Sequence, residues 1–312
     1  MLNILDNKLN QIYHSNGKLL LTGEYVVLDG ATALAIPTGF GQSLEVTSID
    51  EPKIIWKSID HKGAVWFKEG FKIVNDEILH IDQNQKLSVN RLLQILNAVK
   101  KLNPEFLNDG HGYHITTALD FPNDWGLGTS STLINNIAQW TRVDPHSLLK
   151  MTFGGSGYDV AAAQIDVPFL YSISNDTPLI NEIELPWKFC DQLFFVHLNK
   201  KQDSREGIDL YQSYKKQSTS VISEINEITF KLSKCVSMVE FKLLMNTHEQ
   251  LISKMIKQPT IKDSLFSDYS GVIKSLGAWG GDFILATGDE QDQYYFRRKG
   301  FETIIPFNKM IK

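Results

Sequence analysis

The stretch from Phe121 to Trp140, FPNDWGLGTSSTLINNIAQW, places two glycines and three hydroxyl residues directly before an apolar periodic run. A helix N-terminus exposes unpaired backbone N–H groups, and glycines let the backbone approach an anion closely. The competing interpretation is that Thr129 or Ser130 only caps a helix after a tight turn. The stretch matches neither G-x-x-x-x-G-K-[ST] nor G-x-G-x-x-G. It therefore predicts a helix start that either binds an anion or is merely capped.

Length and charge limit the classes of function. The chain has 312 residues, of which 42% are hydrophobic and 21% charged, and this is enough for two cores. A net charge of -5 argues against nucleic acid as a partner. Cys190 and Cys235 are too few and too far apart for a disulfide framework or a cysteine metal site. No apolar run is long enough to span a membrane, so we expect a soluble cytoplasmic protein.

Changes in hydrophobic periodicity indicate an α+β protein with sheet and helix layers in two domains. The expected domains are residues 1–180 and 181–312, with the boundary in the Asn-, Asp- and Pro-rich stretch near residues 175 to 190. Strands are predicted in the region 18–71, at GYHITTAL, at DVPFLYSI and at QLFFVHL. Helices are predicted over residues 90–107, after Gly128, from Pro145, and over 204–230, 238–257 and 261–275.

Three further elements carry candidate chemistry. Lys18 begins an apolar strand beside a glycine, so it either pairs with an anion or reaches solvent at the strand end. Asp159 stands in SGYDVAAAQ, where it either caps a helix or orients and deprotonates a substrate hydroxyl. The late cluster SLGAWGGDFILATG, residues 275–288, is either a tight connection or part of a binding wall.

The order of these elements is more specific than any one of them. GKLLLTGEYVVLDG, then GLGTSS opening a helix, then SGYD, then a late glycine cluster resembles the GHMP small-molecule kinase superfamily over nearly the whole chain. The tyrosine after the Gly-Glu pair and the GGD at Gly280–Asp282 are most similar to the phosphomevalonate kinase and mevalonate kinase branch. The resemblance implies a ribosomal-protein-S5-like N-terminal domain and a ferredoxin-like C-terminal domain.

The resemblance also implies a function. We expect an ATP-dependent, magnesium-using phosphoryl transfer to a phosphomevalonate- or mevalonate-like acceptor in isoprenoid precursor synthesis. The expected partners are ATP and the small-molecule acceptor, without nucleic acid or membrane, and the oligomeric state stays open, with a homodimer as one option. Lys18 and Asp159 would be catalytic, and Ser130 would meet Mg²⁺. The nucleotide would be bound by Gly126, Leu127, Gly128, Thr129, Ser130 and Ser131. The substrate would be bound by Glu24, Tyr25, Ser156, Gly157, Gly277 and Ala278.

The chain departs from the family pattern at several positions. Asn16 replaces the proline before the first Gly-Lys, Trp279 stands where the late motif normally has glycine, and we identify no glutamate as a second metal ligand. A bulky indole at position 279 would narrow the pocket. Two alternatives therefore stay open, a non-catalytic protein that binds ATP or a metabolite, and a kinase for another small alcohol such as homoserine or a sugar.

Overall fold

A computed structural model describes residues 10–74, 77–82, 86–108, 110–202, 204–214 and 218–312. The chain forms two compact units, and both are discontinuous in sequence. The first unit comprises residues up to Ser15, Gly41–Asn123 and Gly128–Gln164. The second comprises Asn16–Phe40, Asp124–Leu127 and Ile165–Lys312. The predicted division at residue 180 concerns the family's domains and stays a prediction.

The first unit combines a mixed sheet with four helices. The strands are β1 (Asn10–Thr22) and β2 (Ala33–Ile49), both divided between the units, β3 (Lys53–Ile59), β4 (Val65–Val74), β5 (Glu77–His80) and β6 (Gly112–Leu119). They follow the order β5-β4-β3-β6-β2, in which β3 and β6 run parallel and the other pairs antiparallel. Alternate residues of β3 are buried, so one face of the sheet packs into the core with the helices. The helices are α1 (Leu87–Leu102), α2 (Thr129–Thr141), α3 (Pro145–Thr152) and α4 (Tyr158–Ala162).

The second unit contains the first half of β2 paired with β7 (Phe169–Ser174), which also pairs with β8 (Thr177–Glu182). It also contains an antiparallel sheet of four strands, which are β9 (Leu193–His197), β10 (Ile273–Ser275), β11 (Phe283–Thr287) and β12 (Ile304–Pro306). Their order in the sheet is β10-β11-β9-β12. The helices are α5 (Ser204–Tyr214), α6 (Ser218–Lys234), α7 (Met238–Ile256), α8 (Ile261–Leu265), α9 (Glu290–Arg298) and α10 (Phe307–Met310). Among the described residues, we find no helix with the length and apolarity needed to cross a membrane.

The α+β class is confirmed, as is the predicted strand over Gly112–Leu119, and the helix predicted over 238–257 spans Met238–Ile256. The predicted helix over 90–107 begins and ends earlier, at Leu87 and Leu102. Its early end follows from Pro104, because the residue before a proline is disfavoured in the helical conformation. Within the helix predicted over 204–230, Ser204–Tyr214 forms α5 and the residues from Ser218 onward belong to α6, while residues 215–217 lie outside the described part of the chain.

The predicted helix over 261–275 is wrong beyond Leu265. Helix α8 ends there, and Ile273–Ser275 forms β10, which pairs with β11. Contacts distant in sequence hold the segment extended: the Val272 N–H donates to Thr287 Oγ1 at 3.0 Å, and the Tyr269 hydroxyl donates to the Thr287 carbonyl at 2.9 Å. Tertiary pairing therefore overrides the local helical spacing.

Candidate active site

The glycine-rich loop ends at an uncapped helix N-terminus. Gly126 and Gly128 have φ of 67° and 94°, a region that favours glycine. Gly128 is the N-cap of α2 and, as a glycine, provides no side-chain capping hydrogen bond to the amides of the first turn. The hydroxyl of Ser131 instead donates to the Gly128 carbonyl at 2.8 Å, and that of Thr129 to Asn123 Oδ1 at 3.3 Å. The interpretation that a hydroxyl side chain caps this helix is therefore wrong.

Buried amide side chains hold α2 in place within the first unit. Asn135 Nδ2 donates to Ser15 Oγ at 2.9 Å, and Asn136 Nδ2 donates to the Gln42 carbonyl at 2.8 Å. Asn135 Nδ2 also lies 3.3 Å from the Ala163 carbonyl, just beyond the end of α4. Since unmade hydrogen bonds are costly in the interior, these bonds fix the position of α2 against its neighbours.

Asp159 lies in the first turn of α4, which packs against α2 in the first unit. Its carboxylate is half-buried and accepts the Val160 N–H at 3.0 Å. Ser156 and Gly157 directly precede this helix, and Gly157 is its N-cap. His146, on α3, is close enough for the Asp159 carboxylate to act on it. Burial lowers the pKa of His146, and the charges of Asp144 and Asp159 oppose that shift.

Lys18 is tied to the first part of the glycine-rich loop inside the second unit. Its Nζ donates to the Gly126 carbonyl at 2.8 Å, and its backbone N–H donates to the Leu127 carbonyl at 2.9 Å. The side chain is half-buried and lines a cavity, so it does not extend from the strand end into solvent. The cavity is lined by Lys18, Leu19, Leu20, Trp125, Gly126, Leu276, Gly277, Asp282 and Phe283.

Asp282 also lines this cavity and approaches Gly126 closely. A Cβ at position 126 would overlap the Asp282 carboxylate. Asp282 has φ of 54°, and its Oδ1 accepts the Gln202 N–H at 3.1 Å. Burial raises the pKa of Asp282, while the Lys18 ammonium acts in the opposite direction. The GGD sequence thus places a carboxylate near the lysine.

Glu24 and Tyr25 lie in the interior of the second unit. Glu24 is 1% exposed and forms an ion pair with Lys274. The Tyr25 hydroxyl accepts the Trp279 N–H at 3.1 Å, and burial raises the pKa of Tyr25 to about 12. The predicted contact of these two residues with substrate stays a prediction.

Trp279 packs in an apolar cluster with Tyr25 and Tyr211, is 5% exposed, and is not among the cavity-lining residues. The indole therefore does not line that cavity, and the expected narrowing of the substrate pocket stays a prediction. Of the late glycine cluster, Gly277 lines the cavity, whereas Ala278 is buried.

The structure groups the predicted site residues into two sets. Lys18, Gly126, Leu127 and Gly277 lie together in the second unit, and Gly128–Ser131 and Ser156–Asp159 lie on the packed helices α2 and α4 of the first. The proximity of Asp159 to Lys18 stays a prediction. The sequence interpretation assigned no role to His146, His248, Glu249 or Lys274. The adjacent His248–Glu249 pair within an otherwise amphipathic helical run is a sequence signal for two of them.

Two places offer candidate metal ligands. Ser130 is exposed, and within the described residues its hydroxyl makes no hydrogen bond, so it is available to a ligand. Glu69, His80 and Asp82 form a separate group whose ligand atoms all lie within 4.8 Å of one another. His80 Nε2 already lies 3.0 Å from Glu69, and Lys86 lies 3.3 Å from the same carboxylate. Contacts with His80 and Lys86 therefore account for the position of the Glu69 carboxylate without a metal ion.

Three solved structures illustrate what this chain is similar to. The mevalonate kinase of Methanococcus jannaschii is 16% identical, with a TM-score of 0.68 over 95% of this chain and 97% of that one. The phosphomevalonate kinase of Streptococcus pneumoniae, bound to phosphomevalonate and AMPPNP, is 15% identical, with a TM-score of 0.65 over 94% and 99%. The galactokinase of Lactococcus lactis, bound to galactose, is 12% identical, with a TM-score of 0.65 over 95% and 89%. No protein-family model and no curated protein sequence matches the chain.

Proposed function

We propose, from the premise that this chain has the fold of the GHMP kinases, that it transfers the γ-phosphoryl group of ATP to a small acceptor. The acceptor we favour resembles phosphomevalonate or mevalonate, because the GEYVVLDG and GGD sequences are most similar to that branch. The observation that carries the proposal is the N-terminus of α2, where a left-handed Gly128 leaves the first amides without a side-chain cap. Such an N-terminus favours a phosphate group.

ATP would be bound by the segment from Gly126 to Ser131. Its backbone amides and the dipole of α2 would stabilise the phosphates, and the fixed position of that helix means that little reorganisation is needed. Mg²⁺ suits the available donors, because it commonly keeps several waters and takes few protein oxygens. The Ser130 hydroxyl would be its protein ligand. When bound, the ion neutralises charge on the phosphates.

Lys18 and Asp159 are the proposed catalytic residues. The bond between the acceptor oxygen and the γ-phosphorus forms as the bond to the β-phosphate oxygen breaks, and ADP leaves. For an alcohol, Asp159 would take the proton; for a phosphate acceptor, which is already ionised, it would orient the attacking oxygen. The Lys18 ammonium would keep Asp159 ionised and stabilise charge on the moving group.

The test is phosphoryl transfer from Mg-ATP to phosphomevalonate, mevalonate, homoserine and galactose, assayed side by side. Asp159→Asn should lower kcat by about a hundredfold or more with an alcohol acceptor, and by less with a phosphate acceptor. Asp50→Asn, an exposed substitution in the same unit, is the matched control and should retain activity. Transfer that is unaffected by Asp159→Asn would contradict the assigned role.

The same panel separates the other candidates. The likeness to a galactokinase has the same TM-score as that to the phosphomevalonate kinase, so the fold does not discriminate between acceptors. Product from homoserine or galactose alone would support a kinase for another small alcohol. Binding of Mg-ATP without product from any acceptor would instead support a non-catalytic protein.

A further inference from the structure

A cluster of four ionisable side chains lies in the interior of the second unit, away from solvent. Glu24, His248, Glu249 and Lys274 are each 1% exposed or less. The Lys274 ammonium forms an ion pair with Glu24 and lies 3.3 Å from Glu249. His248 Nε2 lies 3.4 Å from the second oxygen of Glu24. A single lysine is therefore the cationic partner of two buried carboxylates.

Adjacent residues of α7 in this cluster hold two other segments of the chain. The Gly23 N–H, just after the end of β1, donates to His248 Nε2 at 3.0 Å. The Ser275 N–H, at the end of β10, donates to Glu249 at 3.1 Å, and the Ser275 hydroxyl donates to the same carboxylate at 2.5 Å. The ends of β1 and β10 are thus both fastened to one helix, and Lys274 links Glu24 to Glu249.

The two segments that are hydrogen-bonded to α7, at the ends of β1 and β10, both adjoin residues that line the cavity containing Lys18. Lys18, Leu19 and Leu20 of β1 line it. Leu276 and Gly277, which directly follow Ser275, line it as well. A shift of either strand end would therefore move a wall of the cavity.

The role that best explains this buried cluster is to fix the relative position of chain segments, and not to raise the stability of the fold. Buried ion pairs seldom add net stability compared with apolar groups of the same volume, because the desolvation of both charges offsets their attraction. In a medium of low polarity, however, their attraction depends strongly on geometry. A buried lysine shared by two carboxylates consequently constrains the relative position of the segments that carry them.

We propose that Lys274 is a positioning residue for the cavity, acting through Glu24 and Glu249 to fix the β1 segment that bears Lys18 relative to the loop that begins at Leu276. Its effect on catalysis rests on the proposed phosphoryl transfer. Its effect on the position of the two segments does not depend on phosphoryl transfer. The positioning role and the proposed function can therefore be refuted separately.

The main variant is Glu24→Gln/Lys274→Met, which removes one charge of each sign. Hydrogen–deuterium exchange read by mass spectrometry should show faster exchange, by about tenfold or more, in the peptides covering 18–24 and 276–282 together. With an accepted substrate, kcat should fall about tenfold or more, while the KM for Mg-ATP changes less than about twofold. Ser275→Ala, which removes only the hydroxyl bond to Glu249, should produce a smaller change centred on 276–282.

Two control variants separate positioning from general destabilisation. Lys299→Met removes an exposed ion pair with Asp268 and should leave both peptides unchanged. Phe296→Leu leaves space in a different apolar cluster of the same unit. If it lowers Tm as much as the double variant does, it should still not accelerate exchange in peptides 18–24 and 276–282 more than elsewhere.

Two results would overturn the proposal. One is that Phe296→Leu accelerates exchange in these two peptides as much as the double variant does, and the other is that exchange is unchanged in a folded double variant. If the double variant does not fold, unchanged exchange in Ser275→Ala would overturn it. A wild-type protein without transfer would refute the proposed function, while the exchange result would still decide the positioning role.

Discussion

Replacement of Glu24 by glutamine should change how the stability of the protein depends on pH. Burial raises the pKa of the Glu24 carboxyl from its ordinary value of 4.5 to about 7, and the Lys274 ammonium only partly opposes this shift. Burial is the main cause of this shift, and the charge of Glu249 adds to it, since two buried carboxylates share one ammonium. A proton on Glu24 neutralises the excess negative charge. Glutamine is similar in shape to that protonated form.

The sign follows from the direction of the shift. Because the pKa in the folded state is raised, folding is favoured while Glu24 is protonated in both states, below about pH 4.5. Stability is then lost as the pH rises from about 4.5 to about 7, and no further loss from this group occurs above that range. At about 1.4 kcal/mol per pKa unit, the loss approaches about 3 kcal/mol.

The assay is urea unfolding of the wild type and of Glu24→Gln at several values between pH 4.5 and 8.5. Burial lowers the pKa of His248, so this residue destabilises the fold towards acid pH in both proteins. Its contribution largely cancels in the difference between the two proteins. The unfolding free energy of the wild type, minus that of the variant, should fall by about 3 kcal/mol across the range. A difference that stays flat, or that rises with pH, would refute the assignment of the proton to Glu24.

Two further predictions concern the glycine-rich loop. Gly126→Ala should lower the unfolding free energy by about 1–3 kcal/mol and weaken Mg-ATP binding in calorimetry, because the new Cβ is strained and overlaps Asp282. Gly63→Ala also has a positive φ, of 82°, but meets nothing within 4 Å, so it should cost less; an equal cost would show that the overlap is unimportant. Ser130→Ala should raise the Mg²⁺ concentration needed for nucleotide binding by about tenfold, or about 1.4 kcal/mol. It should leave urea unfolding unchanged because Ser130 is exposed, and an unchanged Mg²⁺ requirement would exclude it as a ligand.

Local sequence signals predicted the parts of the site that are built from neighbouring residues. The glycines before Thr129 predicted both the turn and the start of α2, because positive φ and helix initiation are short-range properties. The alternation in GYHITTAL predicted β6 to the residue, since one face of that strand is buried. Asp159 in the first turn of a short helix was also foreseeable from SGYDVAAAQ.

Contacts between distant residues could not be predicted in the same way. Glu24 and Lys274 are separated by 250 residues, and nothing in the spacing around either indicates that they meet. The segment 273–275 has apolar spacing compatible with a helix, but its pairing with β11 makes it a strand. The indole of Trp279 packs in a cluster with Tyr25 and Tyr211, which are distant in sequence, and no local pattern indicates that contact.

The measurement that tests the central claim most directly is ³¹P NMR of the purified protein with Mg-ATP and phosphomevalonate. The account predicts that ATP signals decline while those of ADP and of a new diphosphate product grow, and that Asp159→Asn slows this conversion. Saturating Mg-ATP binding without any phosphorylated product, from this acceptor or from mevalonate, homoserine and galactose, would contradict it.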